Sequence, residues 1–393
     1  MGTVMRTVIV GGGVVGLLTA LECARAGHRV TLVEQGRLPN PHAASHDRHR
    51  VLRALHPDDP GATRAGVAAH HAWRVWEAYL GVRCYHQVGA LTGLAPHRVD
   101  SARALLAAAG GGGHALDPIA LARRWPHLCF PAGAGAVYEE RAGVLLADRI
   151  LEAAVHRLRH HPRVQLLAHT AVVRLDVADR SVILADGRVL RGDRLLVAAG
   201  AWARTLLPPV AADRLVLHRQ TVLYCAVPRE QHHAWTGTPA VAALDAGSGA
   251  WLVPPVADAP LGLSAHEVAR VVPSLAGRDA AVRWTRTLRE RFAPLVPGFH
   301  PGWITGARDC YFVADAVTGG ALLLDLADGE VFADAASAGG SFKFAPLTAR
   351  MLAIRLSGGA PPPTGLRSLD RPLRIGTGRL PDPPGHLPEQ RTW

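Results

Sequence analysis

The stretch from Thr7 to Glu34 constrains the fold of this chain more than any other. Val8-Ile9-Val10 leads into Gly11-Gly12-Gly13-Val14-Val15-Gly16, then an apolar run to Gly27, then Val30-Thr31-Leu32-Val33-Glu34. Strand, glycine turn, helix and strand make one βαβ unit, and Gly11, Gly13 and Gly16 fall on the G-x-G-x-x-G spacing. The three glycines serve a tight turn, close approach of backbone to a pyrophosphate, and close packing of helix on strand. The helix beginning near Val14 points free N–H groups and a positive dipole end at such phosphates. Glu34 closes the second strand, where a carboxylate accepts the hydroxyls of an adenosine ribose.

With 393 residues the chain is long for one domain, and two are expected. A hydrophobic share of 49% against 19% charged residues indicates a globular protein. No apolar run reaches bilayer-spanning length, and the first strand begins too early for a secretory signal to precede it. The cysteines, Cys23, Cys84, Cys129, Cys225 and Cys310, are scattered and show no zinc-ligand spacing, so a reduced, cytoplasmic protein is expected. The net charge of +11 is spread along the chain without a nucleic-acid motif, and no nucleic-acid partner is expected; a basic surface still favours anionic ligands. Of 43 basic residues only Lys343 is a lysine, and it lies within Gly339-Gly340-Ser341-Phe342-Lys343-Phe344. Its compact ammonium is not equivalent to the planar guanidinium the chain uses everywhere else.

Residues 39–53 read as a loop entering a helix, which places Arg50 and Arg53 on one helical face as an anion clamp or as a solvated basic surface. His42, His46 and His49 lack a carboxylate or cysteine cluster to complete a metal site, and no metal is expected. An amphipathic helix over residues 62–80 carries Trp73 and Trp76 as core residues. Strands are expected near 164–167, 171–175 and 195–198, and a hairpin over 181–190 turns at Asp186-Gly187. The last helix is expected over 345–356, its start beside Lys343, and residues beyond about Thr377 are expected to be disordered.

These motifs together resemble the FAD-dependent D-amino-acid oxidase superfamily, most closely its sarcosine oxidase branch. The likeness runs from Thr7 to about Pro372. It includes the loop from His46 to Arg53, Arg124-Trp125-Pro126, Gly143-Val144-Leu145, Gly200-Ala201-Trp202, Arg219-Gln220 and Phe342-Lys343-Phe344, in the family's order. The resemblance implies an α/β fold: a Rossmann-like FAD-binding domain (residues 1–82, 146–214 and 306–377) and a second, mostly antiparallel-sheet α+β substrate domain (83–145 and 215–305), with a C-terminal tail over 378–393. It implies that FAD is bound by Gly11, Gly13, Val14, Val15, Gly16, Glu34, Gln35, His46, Arg50, Val172, Gly200, Trp202, Gly340, Phe342 and Lys343, with Cys310 as a covalent attachment point. It further implies that Arg53 and Lys343 hold a substrate carboxylate while His266 and Trp251 line the cavity.

The implied reaction is oxidation of an amine to an imine by hydride transfer to flavin N5. The implied substrate is a small amine or amino acid, the acceptor O2 or another oxidant, and the protein a monomer. Gly262 stands where the family's oxidases carry a lysine over the flavin, so a dehydrogenase with a different acceptor is the alternative. A hydroxylase of the related fold is a second alternative. That class shows a Gly-Asp motif in a late strand, where this chain has Asp325 in Leu-Leu-Leu-Asp. A flavin-binding subunit without turnover is the third.

Overall fold

The structure, a computed structural model, describes residues 4–245 and 249–375; the tail expected beyond Thr377 lies outside the described residues. Two large sheets organise the chain. The first has seven strands in the order Leu373–Arg374, Leu322–Asp325, Val331–Ala336, Arg194–Val197, Arg6–Val10, Arg29–Val33 and Val164–Leu167. From Val331–Ala336 onward its neighbours run parallel, and Leu322–Asp325 returns antiparallel. Such a sheet is covered on both faces. Helix Val14–Arg25 packs on one face with Ala147–Arg159 and Ser341–Leu356, burying Leu17, Leu18 and Leu21 completely. Each such leucine contributes roughly 1.5–3 kcal/mol over an exposed one. The other face carries the small sheet of Val172–Asp176, Ser181–Leu184 and Val189–Arg191, the last two joined through the expected Asp186-Gly187 turn.

The register defines where a ligand can lie. Val33, Val10, Val197 and Ala333 are level across four adjacent strands. The next residues, Glu34, Gly11, Ala198 and Asp334, therefore form a row along the carboxyl edge, where open α/β sheets bind their ligands.

The second sheet has nine strands and is mostly antiparallel, built on the long ladder of Leu215–Cys225 with Ile304–Asp315. That second strand stays in this sheet along its whole length, across the 305/306 border drawn from the sequence. Among the described residues no helix is long and apolar enough to cross a membrane.

Three local expectations are corrected. Arg50–Leu52 is a strand paired with Gly143–Leu145, not the start of a helix. The helix signal lies further on, at Asp59-Pro60, where the Asp59 carboxylate accepts the Ala62 N–H at 2.8 Å and proline occupies the first turn. Arg50 and Arg53, three apart, consequently share no helical face. The helix expected as the last begins at Ser341, four residues early, so Lys343 lies in its first turn rather than before it, and a further short helix, Arg367–Asp370, follows. Strand Val331–Ala336, central to the first sheet, was not expected at all; its Ala-Asp-Ala-Ala sequence carries little strand propensity and forms because it fills a slot between two neighbours.

Candidate active site

The glycine turn has no room for a side chain at Gly11 and Gly16, while a Cβ on Gly13 would meet only the Ser45 hydroxyl. Gly11 has φ +110°, and a Cβ there would overlap the Ala198 carbonyl oxygen. A Cβ on Gly16 would overlap the Gly11 carbonyl oxygen, so helix and strand touch through glycine. Gly13 is the N-cap of the first helix and supplies no side-chain cap; the Val14 N–H reaches the Ser45 hydroxyl at 3.0 Å, and Val15 is buried beside it. Glu34 is buried. It accepts from the Gly12 N–H (2.8 Å), the Gly36 N–H (2.9 Å) and the Asn40 amide (2.8 Å), which fixes the carboxylate at the mouth of the turn. A carboxylate offers about four acceptor positions, so one remains for a ligand hydroxyl. Thr170 N–H donates to the Glu34 carbonyl and brings Val172 to this end. Gln35 is exposed. Gly200 (φ +54°) and Trp202 form a short 3-10 turn after strand Arg194–Val197. This cradle fits the pyrophosphate and ribose of a dinucleotide.

A second node forms around residues 44–50. Arg50 is clamped by the Asp47 carboxylate and by the carbonyls of His49 (2.8 Å) and Ala44 (2.6 Å), and lies 5.9 Å from the Phe342 ring. Tyr224 donates its hydroxyl to the same Asp47. Burial works against ionisation of Asp47, yet Arg50 and the Tyr224 hydroxyl hold it below the usual carboxylate range. Cys310 lies against this node, its thiol 3.8 Å from the Ala44 carbonyl that also accepts from Arg50. Arg278 and Arg308 donate to the Pro41 carbonyl, and His46 is held neutral by desolvation and by Arg308. Beside them, the position expected to lack only a lysine is filled. A Cβ on Gly262 would come within 2.6 Å of the His49 ring, whose Nε2 is 2.7 Å from the Pro260 carbonyl.

The third node is a half-buried cationic cluster. Arg53 follows the strand Arg50–Leu52, and its buried Nη1 has no hydrogen-bond partner among the described residues. Lys343 Nζ lies 2.7 Å from His56 Nε2 and 5.1 Å from the Phe344 ring centroid. Desolvation, reinforced by Arg53, holds the Lys343 ammonium well below its ordinary range. Its place in the first helical turn, at the positive dipole end, acts in the same direction. The one carboxylate here, Glu139, is buried and receives the Ala54 N–H (2.8 Å) and Leu55 N–H (3.2 Å); burial raises its pKa. The helix turn itself is fixed from behind. Trp73 donates its indole N–H to the Lys343 carbonyl at 2.8 Å, and its ring stacks on Phe342 at 5.8 Å. Gly340 caps this helix. His266 ends the strand Leu261–Ala265, desolvated and within the field of Arg53. Trp251, across the same hairpin, is partly buried against the apolar cluster that includes Val144 and Val253.

The structure therefore joins Arg53 to Lys343, and Arg50 to Cys310 and Phe342. It keeps Glu34 and Val172 apart from both. Glu34 is three strands from Asp334, about 14 Å at ordinary strand spacing, the span of an extended dinucleotide. Asp47, His49, His56, Glu139 and Tyr224 were missed from sequence; only the density of polar residues over 46–56 marks the first three. Asp325, considered for a ribityl contact, accepts the Gly329 N–H at 2.8 Å and stabilises a turn. Among the described residues no cluster of metal-binding side chains occurs.

Comparison with known proteins adds a family. The DAO model, described as FAD dependent oxidoreductase, matches residues 6–355. Peroxisomal sarcosine oxidase of Mus musculus is 25% identical over 52% of this chain and 53% of its own length. Monomeric sarcosine oxidase of a Bacillus species is 25% identical over 56% and 58%, and glycine oxidase of Pseudomonas aeruginosa is 33% identical over 56% and 63%. The chain thus spans little more than half the length of the curated relatives it matches. Among solved structures, NikD, an unusual amino acid oxidase essential for nikkomycin biosynthesis, superposes with TM-score 0.77 at 20% identity, over 95% of this chain and 98% of that one. Amadoriase I of Aspergillus fumigatus gives 0.75 at 18% identity, over 95% and 94%. These likenesses show a shared fold.

Proposed function

We propose that this chain, which belongs to the DAO family of FAD-dependent oxidoreductases, oxidises the C–N bond of an amine that carries a carboxylate. The carrying observation is the half-buried pair of Arg53 and Lys343: two cationic side chains, one with a buried N–H that has no partner among the described residues, beside the carboxylate of Glu139, already occupied by backbone donors. An anionic ligand group is what such a site lacks.

FAD, held by the Gly11–Gly16 turn, Glu34 and the Arg50–Phe342 node, supplies a two-electron acceptor for hydride. Arg53 and Lys343 fix the substrate carboxylate and so orient the carbon that loses hydride. Trp251 and His266 form a wall that excludes water. A neutral amine needs no strong general base, because nitrogen's lone pair drives the departure of hydride and an imine results. The first turn of helix Ser341–Leu356 adds its positive end to the same region.

Cys310, whose thiol lies 3.8 Å from the Ala44 carbonyl that also receives Arg50, is the proposed point of covalent attachment. The acceptor is O2, or a different oxidant in a dehydrogenase. The second reading is favoured by Gly262 and by the neutral His49 that fills the space beside it, since desolvation lowers the His49 pKa. A cofactor unit on the seven-stranded sheet, a substrate unit on the nine-stranded sheet, a monomeric state and a cytoplasmic location complete the proposal.

The test is anaerobic mixing of the purified flavoprotein with N-methyl, cyclic and D-amino acids, following loss of the yellow band. Bleaching by a carboxylate-bearing amine and not by its decarboxylated analogue is expected. Equal bleaching by both, or by neither across the panel, refutes the reading.

A further inference from the structure

Lys343 is the only lysine in the chain, and among the described residues its side-chain hydrogen-bond partner is His56, a histidine that no motif marks. The tautomer of that histidine is fixed by its other nitrogen. His56 Nδ1 lies 2.8 Å from the Ala54 carbonyl oxygen, which accepts only, so Nδ1 carries the proton. Nε2 then presents a lone pair to Lys343 Nζ at 2.7 Å. The ring is held in that orientation, tilted against Phe344 at 5.8 Å, and Phe344 also faces the Lys343 ammonium. The backbone carrying His56 is anchored in turn, because Glu139 takes the N–H groups of Ala54 and Leu55.

We propose that His56 is a positioning residue: as a neutral acceptor it holds the Lys343 ammonium toward the carboxylate of the bound substrate and keeps it charged. This rests on the carboxylate-binding reading of Arg53 and Lys343 given above. The groups facing Lys343 are His56 and Arg53 from the segment after strand Arg50–Leu52, and Glu139 from strand Gly135–Glu139. Arg53 and desolvation push the ammonium toward its neutral form, and Glu139 opposes them. His56 is itself kept neutral by desolvation and by the two cations beside it. A neutral imidazole adds no repulsion and supplies the acceptor that a buried ammonium otherwise lacks.

The consequence is a pH profile. Carboxylate binding is strong below the depressed Lys343 pKa and is lost as pH rises through it. Removing the His56 acceptor moves that loss to lower pH. The experiment titrates the FAD-loaded protein with propionate between pH 6 and 10, reading perturbation of the flavin absorption band. His56→Leu is expected to weaken propionate binding about tenfold or more at neutral pH, the loss expected for a hydrogen bond to a charged group, and to lower the pH at which binding fails. His56→Gln keeps an acceptor at similar reach and is expected to restore both. His56→Asn, one methylene short, is expected to behave like leucine and provides a polar variant should leucine impair folding. Wild-type affinity and an unshifted profile in His56→Asn or His56→Leu overturn the proposal, as does a His56→Gln that behaves like His56→Leu. Lys343→Met separates the two levels of inference. If it too binds propionate normally, the carboxylate site itself is wrong; if it loses binding while the His56 variants keep it, only the role of His56 falls.

Discussion

Asp334 gives the most quantitative test of the structure. It sits in strand Val331–Ala336, in the row of Gly11 and Ala198 at the carboxyl edge of the first sheet, on the side of Phe332 that faces the helices. Among the described residues it has neither a hydrogen-bond nor an ionic partner. Burial alone raises its pKa from the ordinary 3.8 to about 7. The sign follows from that direction. Below the unfolded value both states carry the proton and the carboxyl costs nothing. As pH rises, the unfolded chain ionises first and folding becomes less favourable; above about 7 both states are ionised and the cost is constant. A shift of this size costs at most about 2 kcal/mol at pH 5 and about 4 kcal/mol at pH 8. Asp334 is half-buried, and residual solvent access lowers the pH 8 figure more than the pH 5 figure. Asp334→Asn removes the ionisation and keeps the shape. Thermal unfolding of protein stripped of flavin, in a Cys310→Ala background so that no covalent flavin remains, should show the variant gaining stability over its parent. The gain should grow between pH 5 and pH 8 by roughly 2 °C per kcal/mol. A difference in midpoint that is the same at both pH values would refute the assignment of Asp334 as an unpaired, desolvated carboxyl.

Further outcomes follow from the same geometry. Gly16→Ala forces helix and strand apart at the Gly11 carbonyl and should lower FAD affinity at least tenfold, measured by flavin fluorescence, with far-UV circular dichroism retained. Asp309, fully buried between Arg219, Arg270 (2.8 Å) and Thr221 (2.5 Å), ties together the long antiparallel pair of the second sheet. Its replacement by alanine strands two guanidinium groups and should cost about 3–5 kcal/mol in denaturant unfolding; a loss below 1 kcal/mol would show that the cluster is effectively solvated. Cys310→Ala should release the yellow chromophore into the supernatant after acid precipitation, whereas release from the wild type would rule out covalent attachment. Gly262→Lys should reduce flavin content, because the new side chain displaces the His49 ring from the Pro260 carbonyl, and His49→Ala in the same chain should restore it.

The sequence by itself determined the nucleotide end of this protein. Gly11, Gly13, Gly16 and Glu34 are legible because strand, turn and helix are consecutive, and their conformational demands are local. The Asp186-Gly187 hairpin and the buried tryptophans of the helix Pro60–Leu80 are legible for the same reason. Lys343 could be singled out by composition alone, although not its partner. Tertiary structure decided the rest. Arg50–Leu52 became a strand because Gly143–Leu145, ninety residues on, offers it a ladder, and Val331–Ala336 because the sheet leaves it a place. His56 meets Lys343 across 287 positions, Tyr224 meets Asp47 across 177, and His49 occupies the space beside Gly262. Side chains so far apart have no periodicity in common. Only the packing of two sheets around one edge brings them within hydrogen-bond distance, and the desolvation that sets their charge begins there.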